Sequence, residues 1–137
     1  MGRILCFDYG AKRVGVAVTD EQRIISTPLL TCENKKIFEF TESYLNENNV
    51  DLFLVGMPLD LRGEPTDSTA ITKSFIAKLS SQFSSIKIDT YDERYTSKIA
   101  KDSLIFLGKN KKYRRKKSNI DKVSASLILQ SYLIRNS

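Results

Sequence analysis

The segment Ile4-Leu-Cys-Phe-Asp-Tyr-Gly-Ala-Lys-Arg-Val-Gly-Val-Ala-Val-Thr19 contains two apolar runs separated by a turn with a glycine. The first run, Arg3 to Phe7, predicts a strand that is buried on both faces. Tyr9 to Lys12 predicts a tight turn, and Arg13 to Thr19 predicts a second strand. A third strand is expected to begin at Arg23. Three short strands joined by tight turns predict an antiparallel meander.

The rest of the chain alternates between helical and strand patterns. Apolar residues at helical spacing indicate helices, and short apolar runs indicate strands. The predicted elements are a helix over 33–48, a strand over 50–55, a helix over 66–83, a strand over 86–91, a helix over 95–107 and a final helix over 120–135. The order β-β-β-α-β-α-β-α-α predicts one α/β domain over residues 1–137. Its five-stranded mixed sheet combines the meander with two parallel strands and is flanked by helices.

The composition narrows the possible chemistry. Histidine is absent, which excludes Ser-His and Cys-His catalysis and the common zinc hydrolase sites. An enzyme with this sequence must use carboxylates, lysines, hydroxyls or metal ions. Cys6 and Cys32 lack metal-site spacing and are expected to be reduced thiols. No apolar stretch resembles a membrane span or a signal peptide, so we expect a cytoplasmic protein.

The positive charge is concentrated in one segment. The formal net charge is +6, and residues 109–117 hold seven of the 22 lysines and arginines. The rest of the chain therefore has 15 basic and 16 acidic residues, a net charge of −1. Such a run repels itself and is expected to form a loop that binds a polyanion. Its cations are Lys109, Lys111, Lys112, Arg114, Arg115, Lys116 and Lys117.

Acidic residues stand at the ends of predicted elements, where sites gather in α/β sheets. Asp8 ends the first strand, Glu93 ends the fifth beside Asp92, and Asp121 begins the last helix. Each has a structural alternative. Asp8 can bind turn amides, and the acids at 92 and 93 can form a solvated strand exit with Arg94. Asp121 can close a capping box with Ser118.

A cluster of three carboxylates favours metal binding. Clustered carboxylates repel one another, and burial raises that cost unless cations compensate. Mg²⁺ and Mn²⁺ prefer such hard oxygen ligands. Two of these ions about 4 Å apart can stabilise both the attacking and the leaving oxygen of a phosphodiester. Since this chemistry needs no histidine, Asp8, Glu93 and Asp121 are candidate ligands and catalytic residues, with Asp92 as a possible additional acid.

The sequence resembles the YqgF family, also called RuvX, of the ribonuclease H-like superfamily. Four stretches in the expected order carry the resemblance. They are Asp8-Tyr-Gly-Ala-Lys-Arg-Val-Gly-Val-Ala-Val-Thr-Asp20, Val55-Gly-Met-Pro-Leu59, Asp92-Glu-Arg-Tyr-Thr-Ser97 and Asn119-Ile-Asp-Lys-Val-Ser-Ala125.

The resemblance implies a ribonuclease H-like fold and a cytoplasmic bacterial nuclease. The family is linked to maturation of the 5′ end of precursor 16S ribosomal RNA, and by analogy to Holliday junction resolution. Its acidic positions fall on Asp8, Glu93 and Asp121. Strand four ends in Gly56, where related resolvases have an acid, so strand five must supply it. Asp92 can share or replace the role of Glu93.

The resulting hypothesis is hydrolysis of a phosphodiester by an in-line water, with Asp8 touching both ions. Lys12, Arg13 and Arg94 are candidates for contacting the scissile phosphate, with solvated salt bridges as the alternative. The basic segment tracks the phosphate backbone without reading bases. Alternatives are a Holliday junction resolvase and a non-catalytic RNA-binding assembly factor. The sequence leaves open RNA or DNA as substrate and a monomer or weak homodimer.

Overall fold

The computed structural model describes residues 2–60, 62–96 and 117–136, with side chains from residue 123 onward in the last range. The strands are β1 (Arg3–Tyr9), β2 (Arg13–Thr19), β3 (Ser26–Glu33), β4 (Val50–Met57) and β5 (Lys87–Asp92). The helices are α1 (Ile37–Glu47), α2 (Asp67–Gln82) and α3 (Lys117–Arg135). Short 3-10 turns cover Asn34–Lys36 and Glu93–Tyr95.

The five strands form one mixed sheet in the order β3-β2-β1-β4-β5. The β1–β2 and β2–β3 pairs are antiparallel, which confirms the predicted meander. The β1–β4 and β4–β5 pairs are parallel. Strand β1 therefore lies at the centre of the sheet, between β2 and β4. The carboxyl ends of the parallel strands β1, β4 and β5 share one edge.

Alternate residues of the central strands enter two different cores. Leu5 and Phe7 pack with α1 and α2 on one face of the sheet. Ile4 and Cys6 pack with α3 on the other face. Because side chains alternate along a strand, Asp8 continues the series of Ile4 and Cys6 and faces α3. The carboxylate thus follows a buried strand on the face that the last helix covers.

Two predicted boundaries are wrong. Strand β3 begins at Ser26 instead of Arg23, because the preceding turn is longer than expected. Asp20 Oδ1 accepts hydrogen bonds of 2.8 Å from the amides of Ile24 and Ile25, and Arg23 has a positive φ of 59°. The first helix begins at Ile37 because β3 continues through Glu33.

The last helix also begins earlier than predicted. It begins at Lys117, so Ser118 is already helical and Asp121 lies in the second turn. The capping box that was the structural alternative for Asp121 therefore does not form. Of the helix predicted over 95–107, Tyr95 ends the second 3-10 turn instead, and the part from residue 97 lies outside the described residues. No helix in the described ranges is long and apolar enough to span a membrane.

Candidate active site

Two carboxyl side chains meet at the carboxyl edge of the sheet. Asp8 is the next-to-last residue of β1, and Glu93 opens the 3-10 turn after β5. The two side chains share a hydrogen bond. They line a cavity of about 210 Å³ that is closed on the other side by α3. The other lining residues are Thr96, Ser124, Leu127 and Ile128.

The pKa of Glu93 is raised well above that of an exposed glutamate. Burial raises the pKa of Glu93 to about 8, and the charge of Asp8, its hydrogen bond to Glu93 and the charge of Asp92 add to the rise. Burial also raises the pKa of the Cys6 thiol beneath the pair, and the charges of Asp8 and Glu93 contribute. Two carboxylates this close cannot both ionise without a compensating cation. A positive ion at this site would therefore favour the ionised form of both groups.

Gly56 provides the space that Glu93 occupies. It lies on β4, between β1 and β5 in the sheet. A Cβ atom at this position would lie 2.7 Å from Glu93 Oε1 and 2.7 Å from Ile128 Cδ1. Any side chain on residue 56 would therefore collide with the Glu93 carboxyl group. The carboxyl group that follows β5 thus lies over the position on β4 that carries no side chain.

Asp92 is engaged elsewhere. Its Oδ1 accepts a hydrogen bond of 2.9 Å from the Arg94 amide, and its Oδ2 lies 2.6 Å from Arg94 Nη2. These contacts, with the Arg94 side chain as the main cause, lower the pKa of Asp92. The Arg94 guanidinium lies over Gly63, which has a positive φ of 82°. Of the two neighbouring acids, the structure brings Glu93 to Asp8 and pairs Asp92 with Arg94.

The turn between β1 and β2 is as tight as predicted. The Gly10 amide donates a hydrogen bond of 2.8 Å to the Arg13 carbonyl oxygen. A Cβ atom on Gly10 would lie 2.7 Å from that same oxygen, so the turn requires glycine. Lys12 is exposed in this turn, and Arg13 is half-buried at the start of β2. Both cations thus lie close in sequence to Asp8, at its edge of the sheet.

The remaining predicted residues lie partly outside the described structure. Asp121 belongs to α3 by its backbone, and its side chain is not described. Lys117 begins α3, and the rest of the basic segment lies outside the described residues. In the part of the chain that the structure describes, no three His, Cys, Asp or Glu side chains form a group that could hold a metal ion. The described site therefore has two carboxylates.

Two hydroxyl groups that the sequence analysis did not assign to the site also lie in it. Thr96 and Ser124 line the cavity with the carboxyl pair. Each follows a candidate acid by three positions, since Thr96 follows Glu93 and Ser124 follows Asp121. That spacing on helical turns is the signal that could have found them. Carboxylate and hydroxyl oxygens are hard ligands, so this donor set suits Mg²⁺ or Mn²⁺.

Known proteins similar to this chain cover it almost completely. A protein of Amoebophilus asiaticus named "Putative pre-16S rRNA nuclease" is 45% identical over 133 residues, which are 97% of this chain and 94% of the relative. A protein of the same name from Flavobacterium psychrophilum is 41% identical over 135 residues, 98% of each chain.

Among solved structures, T. thermophilus RuvC in complex with a Holliday junction substrate superposes with a TM-score of 0.60 at 12% identity, covering 100% of this chain and 98% of RuvC. This likeness confirms the ribonuclease H-like fold. The family model described as RuvX, Holliday junction resolvase, matches residues 2–135. The chain therefore belongs to the RuvX family.

Proposed function

We propose that this protein is a metal-dependent nuclease that hydrolyses phosphodiesters in the cytoplasm, during maturation of the 5′ end of precursor 16S ribosomal RNA. The observation that carries the proposal is the hydrogen-bonded Asp8–Glu93 pair in a cavity at the carboxyl edge of the sheet. The names of the relatives support precursor ribosomal RNA as the substrate.

Asp8, Glu93 and Asp121 are proposed to hold two divalent cations. Asp121 precedes the buried Ala125 by four positions and the buried Ile128 by seven, so its Cα lies on the same face of α3. When bound, Mg²⁺ or Mn²⁺ stabilises negative charge on the phosphate and lowers the pKa of the attacking water. Glu93 would hold a cation as the ionised carboxylate, because a neighbouring positive charge favours that form.

The chain holds Glu93 in place through its backbone as well as its side chain. The Thr96 hydroxyl donates a hydrogen bond of 2.8 Å to the Glu93 carbonyl oxygen, and the Thr96 amide donates one of 3.2 Å to the same atom. The side chain lies against Gly56 and Ile128. A carboxylate fixed in this way needs little rearrangement to orient a water molecule, which is how preorganised sites reduce the barrier.

Basic residues are proposed to position the substrate. Lys12 is exposed near the carboxyl pair and is a candidate for contacting the scissile phosphate, with Arg13 beside it. The charge of Arg94 is already paired with Asp92, so it contributes less. The basic segment would bind phosphates along the strand without reading sequence. Its residues in this role are Lys109, Lys111, Lys112, Arg114, Arg115, Lys116 and Lys117.

Substitution of Asp8 tests the proposal. Asp8→Asn keeps the size of the side chain and removes its charge, so cleavage of precursor 16S ribosomal RNA in Mg²⁺ should fall by at least about 100-fold. Asp67→Asn makes the same chemical change on an exposed residue of α2 and should cleave like the wild type. Unchanged cleavage by Asp8→Asn would refute the catalytic assignment. RNA binding without metal-dependent cleavage by the wild type would identify an assembly factor instead.

A four-way DNA junction is the second substrate to be assayed. The description of the family model, Holliday junction resolvase, favours it as the alternative. Resolution needs two symmetric cuts, so an active resolvase is expected to act as a dimer. The solution mass with and without a junction tests this requirement. A protein that stays monomeric on the junction and cleaves only RNA excludes the alternative.

A further inference from the structure

An exposed tyrosine lies between two arginines close to the carboxyl pair. Tyr95 ends the 3-10 turn that Glu93 begins, and 56% of its surface is exposed. The guanidinium carbon of Arg94 lies 5.3 Å from the centre of its ring, and that of Arg135 lies 6.0 Å from it. Both distances are within the range of cation–π contacts. We call Arg94, Tyr95 and Arg135 the Tyr95 platform.

The platform is anchored to the core of the protein. The Tyr91 hydroxyl donates a hydrogen bond of 2.9 Å to the Tyr95 carbonyl oxygen. Tyr91 is itself buried against α3, where its ring meets Tyr132 edge-to-face. The ring of Tyr95 thus projects from a fixed backbone and borders an open cavity of about 410 Å³. The other lining residues are Tyr91, Ser131, Ile134 and Arg135.

The position of the platform links it to the proposed site of cleavage. The Tyr95 ring lies beside Ser131 and Arg135 of α3, whereas the carboxyl pair lies beside residues 124–128, about two turns earlier on the same helix. At 1.5 Å per residue, two turns correspond to roughly 11 Å. Nucleotides of one strand are spaced by about 3.4 Å when stacked. A strand whose phosphate lies at the carboxyl pair therefore brings a base about three nucleotides away within reach of Tyr95.

We propose that the Tyr95 platform binds an unpaired base of the substrate strand, a few nucleotides from the phosphate at the carboxyl pair. The base stacks on the exposed ring of Tyr95, and Arg135 contacts the strand with its positive charge. This inference rests on the proposed nuclease function, since it deepens the recognition of the same substrate. Aromatic stacking accepts every base, so the platform selects single-stranded segments without selecting a sequence.

The charges of the platform favour a nucleic acid as its occupant. The carboxylate of Asp92 compensates Arg94, whereas no acidic side chain in the described ranges pairs with Arg135. The platform therefore has a net positive charge beside an aromatic face. Single-strand binding proteins combine these two features, because phosphates need cations and unstacked bases need aromatic surfaces.

Binding measurements with Tyr95→Leu test the proposal without cleavage. The probe is a fluorescently labelled single-stranded RNA oligonucleotide in EDTA, compared with the same sequence as a blunt duplex. Tyr95→Leu keeps an apolar side chain and removes the ring, so binding of the single strand should weaken roughly 5- to 140-fold. Tyr95→Phe keeps the ring and should bind like the wild type. Binding of the duplex, which has no unpaired base, should be the same for all three proteins.

Arg135→Gln separates the charge from the ring. Removing one phosphate contact should reduce the slope of log affinity against log salt by about 1, while Tyr95→Leu should leave that slope unchanged. Equal affinity of the wild type and Tyr95→Leu for the single strand would overturn the proposal. An equal loss for strand and duplex would also overturn it, because stacking on an unpaired base cannot weaken a duplex. A Tyr95 surface that binds protein instead would give the first of these results.

The outcomes separate this proposal from the nuclease function. If Tyr95→Leu binds normally and Asp8→Asn does not cleave, the platform is refuted and the nuclease stands. If Tyr95→Leu loses single-strand binding and the wild type cleaves no substrate with Mg²⁺, the platform stands and the nuclease is refuted. Thermal unfolding of each variant confirms that the fold is intact, as expected for an exposed side chain.

Discussion

Substitution of Glu93 by glutamine should stabilise the metal-free protein by an amount that grows as the pH rises from about 4.5 to about 8. In the unfolded chain Glu93 has its ordinary pKa of 4.5, whereas in the folded protein burial and the neighbouring Asp8 raise the pKa to about 8. Between these values the folded protein binds the proton more tightly than the unfolded chain. Stability contributed by this group is therefore fully present below pH 4.5 and is lost as the pH rises through about 8.

The size of the effect follows from the same two values. At about 1.4 kcal/mol per pKa unit, the rise from 4.5 to about 8 gives a ceiling of roughly 5 kcal/mol. For a chain of this length 1 kcal/mol corresponds to about 3 °C in Tm. Since glutamine does not ionise, we expect Glu93→Gln to unfold at least about 5 °C above the wild type at pH 9 and within about 2 °C of it at pH 5.

Thermal unfolding in EDTA, followed by circular dichroism from pH 5 to pH 9, measures this difference. Asp92→Asn is the matched control, because it removes the neighbouring carboxylate, whose pKa is lowered by Arg94. It should give no gain at pH 9, since an ionised Asp92 stabilises its pair with Arg94. Equal Tm values of the wild type and Glu93→Gln at both pH values would refute the close contact between Glu93 and Asp8.

Mg²⁺ or Mn²⁺ at about 100 times its Kd should stabilise the wild type by about 2.7 kcal/mol in the same thermal assay. The stability of Asp8→Asn should stay nearly unchanged. An equal rise in the Tm of both proteins would mean that the cations bind elsewhere. Gly56→Ala puts a methyl group 2.7 Å from Glu93 Oε1, so it should destabilise the fold by about 1–3 kcal/mol and reduce cleavage. Unchanged cleavage would mean that the Glu93 side chain can move without loss of function. Neutralising four cations of the basic segment should flatten the salt dependence of RNA binding, and an unchanged slope would show that they touch no phosphate. These four are Lys111, Lys112, Arg114 and Arg115.

Most of the sheet could be predicted because its central strands are continuous apolar runs. The error at β3 has an identifiable cause. Ile24 and Ile25 look like strand residues, but they are exposed in the turn, with their amides bound by the Asp20 carboxylate. A side chain that replaces backbone partners in this way allows apolar residues to leave the sheet. The apolar pattern alone carries no information on that contact.

The two described acids of the site were predictable for a related reason. Asp8 and Glu93 stand at the ends of predicted strands. Strands β1 and β5 both lie beside β4 and run parallel to it, so their carboxyl ends lie at the same edge of the sheet. The hydroxyls of Thr96 and Ser124 were missed because each is a common surface residue, and only the packing of α3 brings Ser124 into the cavity. The catalytic roles of all three candidate acids remain predictions, as does the domain boundary.

The alternation of side chains along a strand explains why Glu93, and not Asp92, lies beside Asp8. Cys6, Leu54 and Tyr91 are buried against α3 on β1, β4 and β5. Two residues beyond each of them stand Asp8, Gly56 and Glu93. Because side chains alternate, these three positions share the α3 face, and Asp92 falls on the other. The buried Tyr91 therefore already distinguishes the two acids in the sequence.

The glycine on β4 leaves the space through which the Glu93 side chain reaches Asp8. Strands β5 and β1 are separated by β4, so their backbones lie roughly 10 Å apart across two strand spacings. A carboxyl group from β5 must pass over β4 to reach Asp8, and only a residue without a side chain leaves that path open. Gly56 does so, since even one carbon there would lie 2.7 Å from Glu93 Oε1. Gly56 and Glu93 thus act together, because the position without a side chain on β4 lets the Glu93 side chain from the end of β5 reach Asp8.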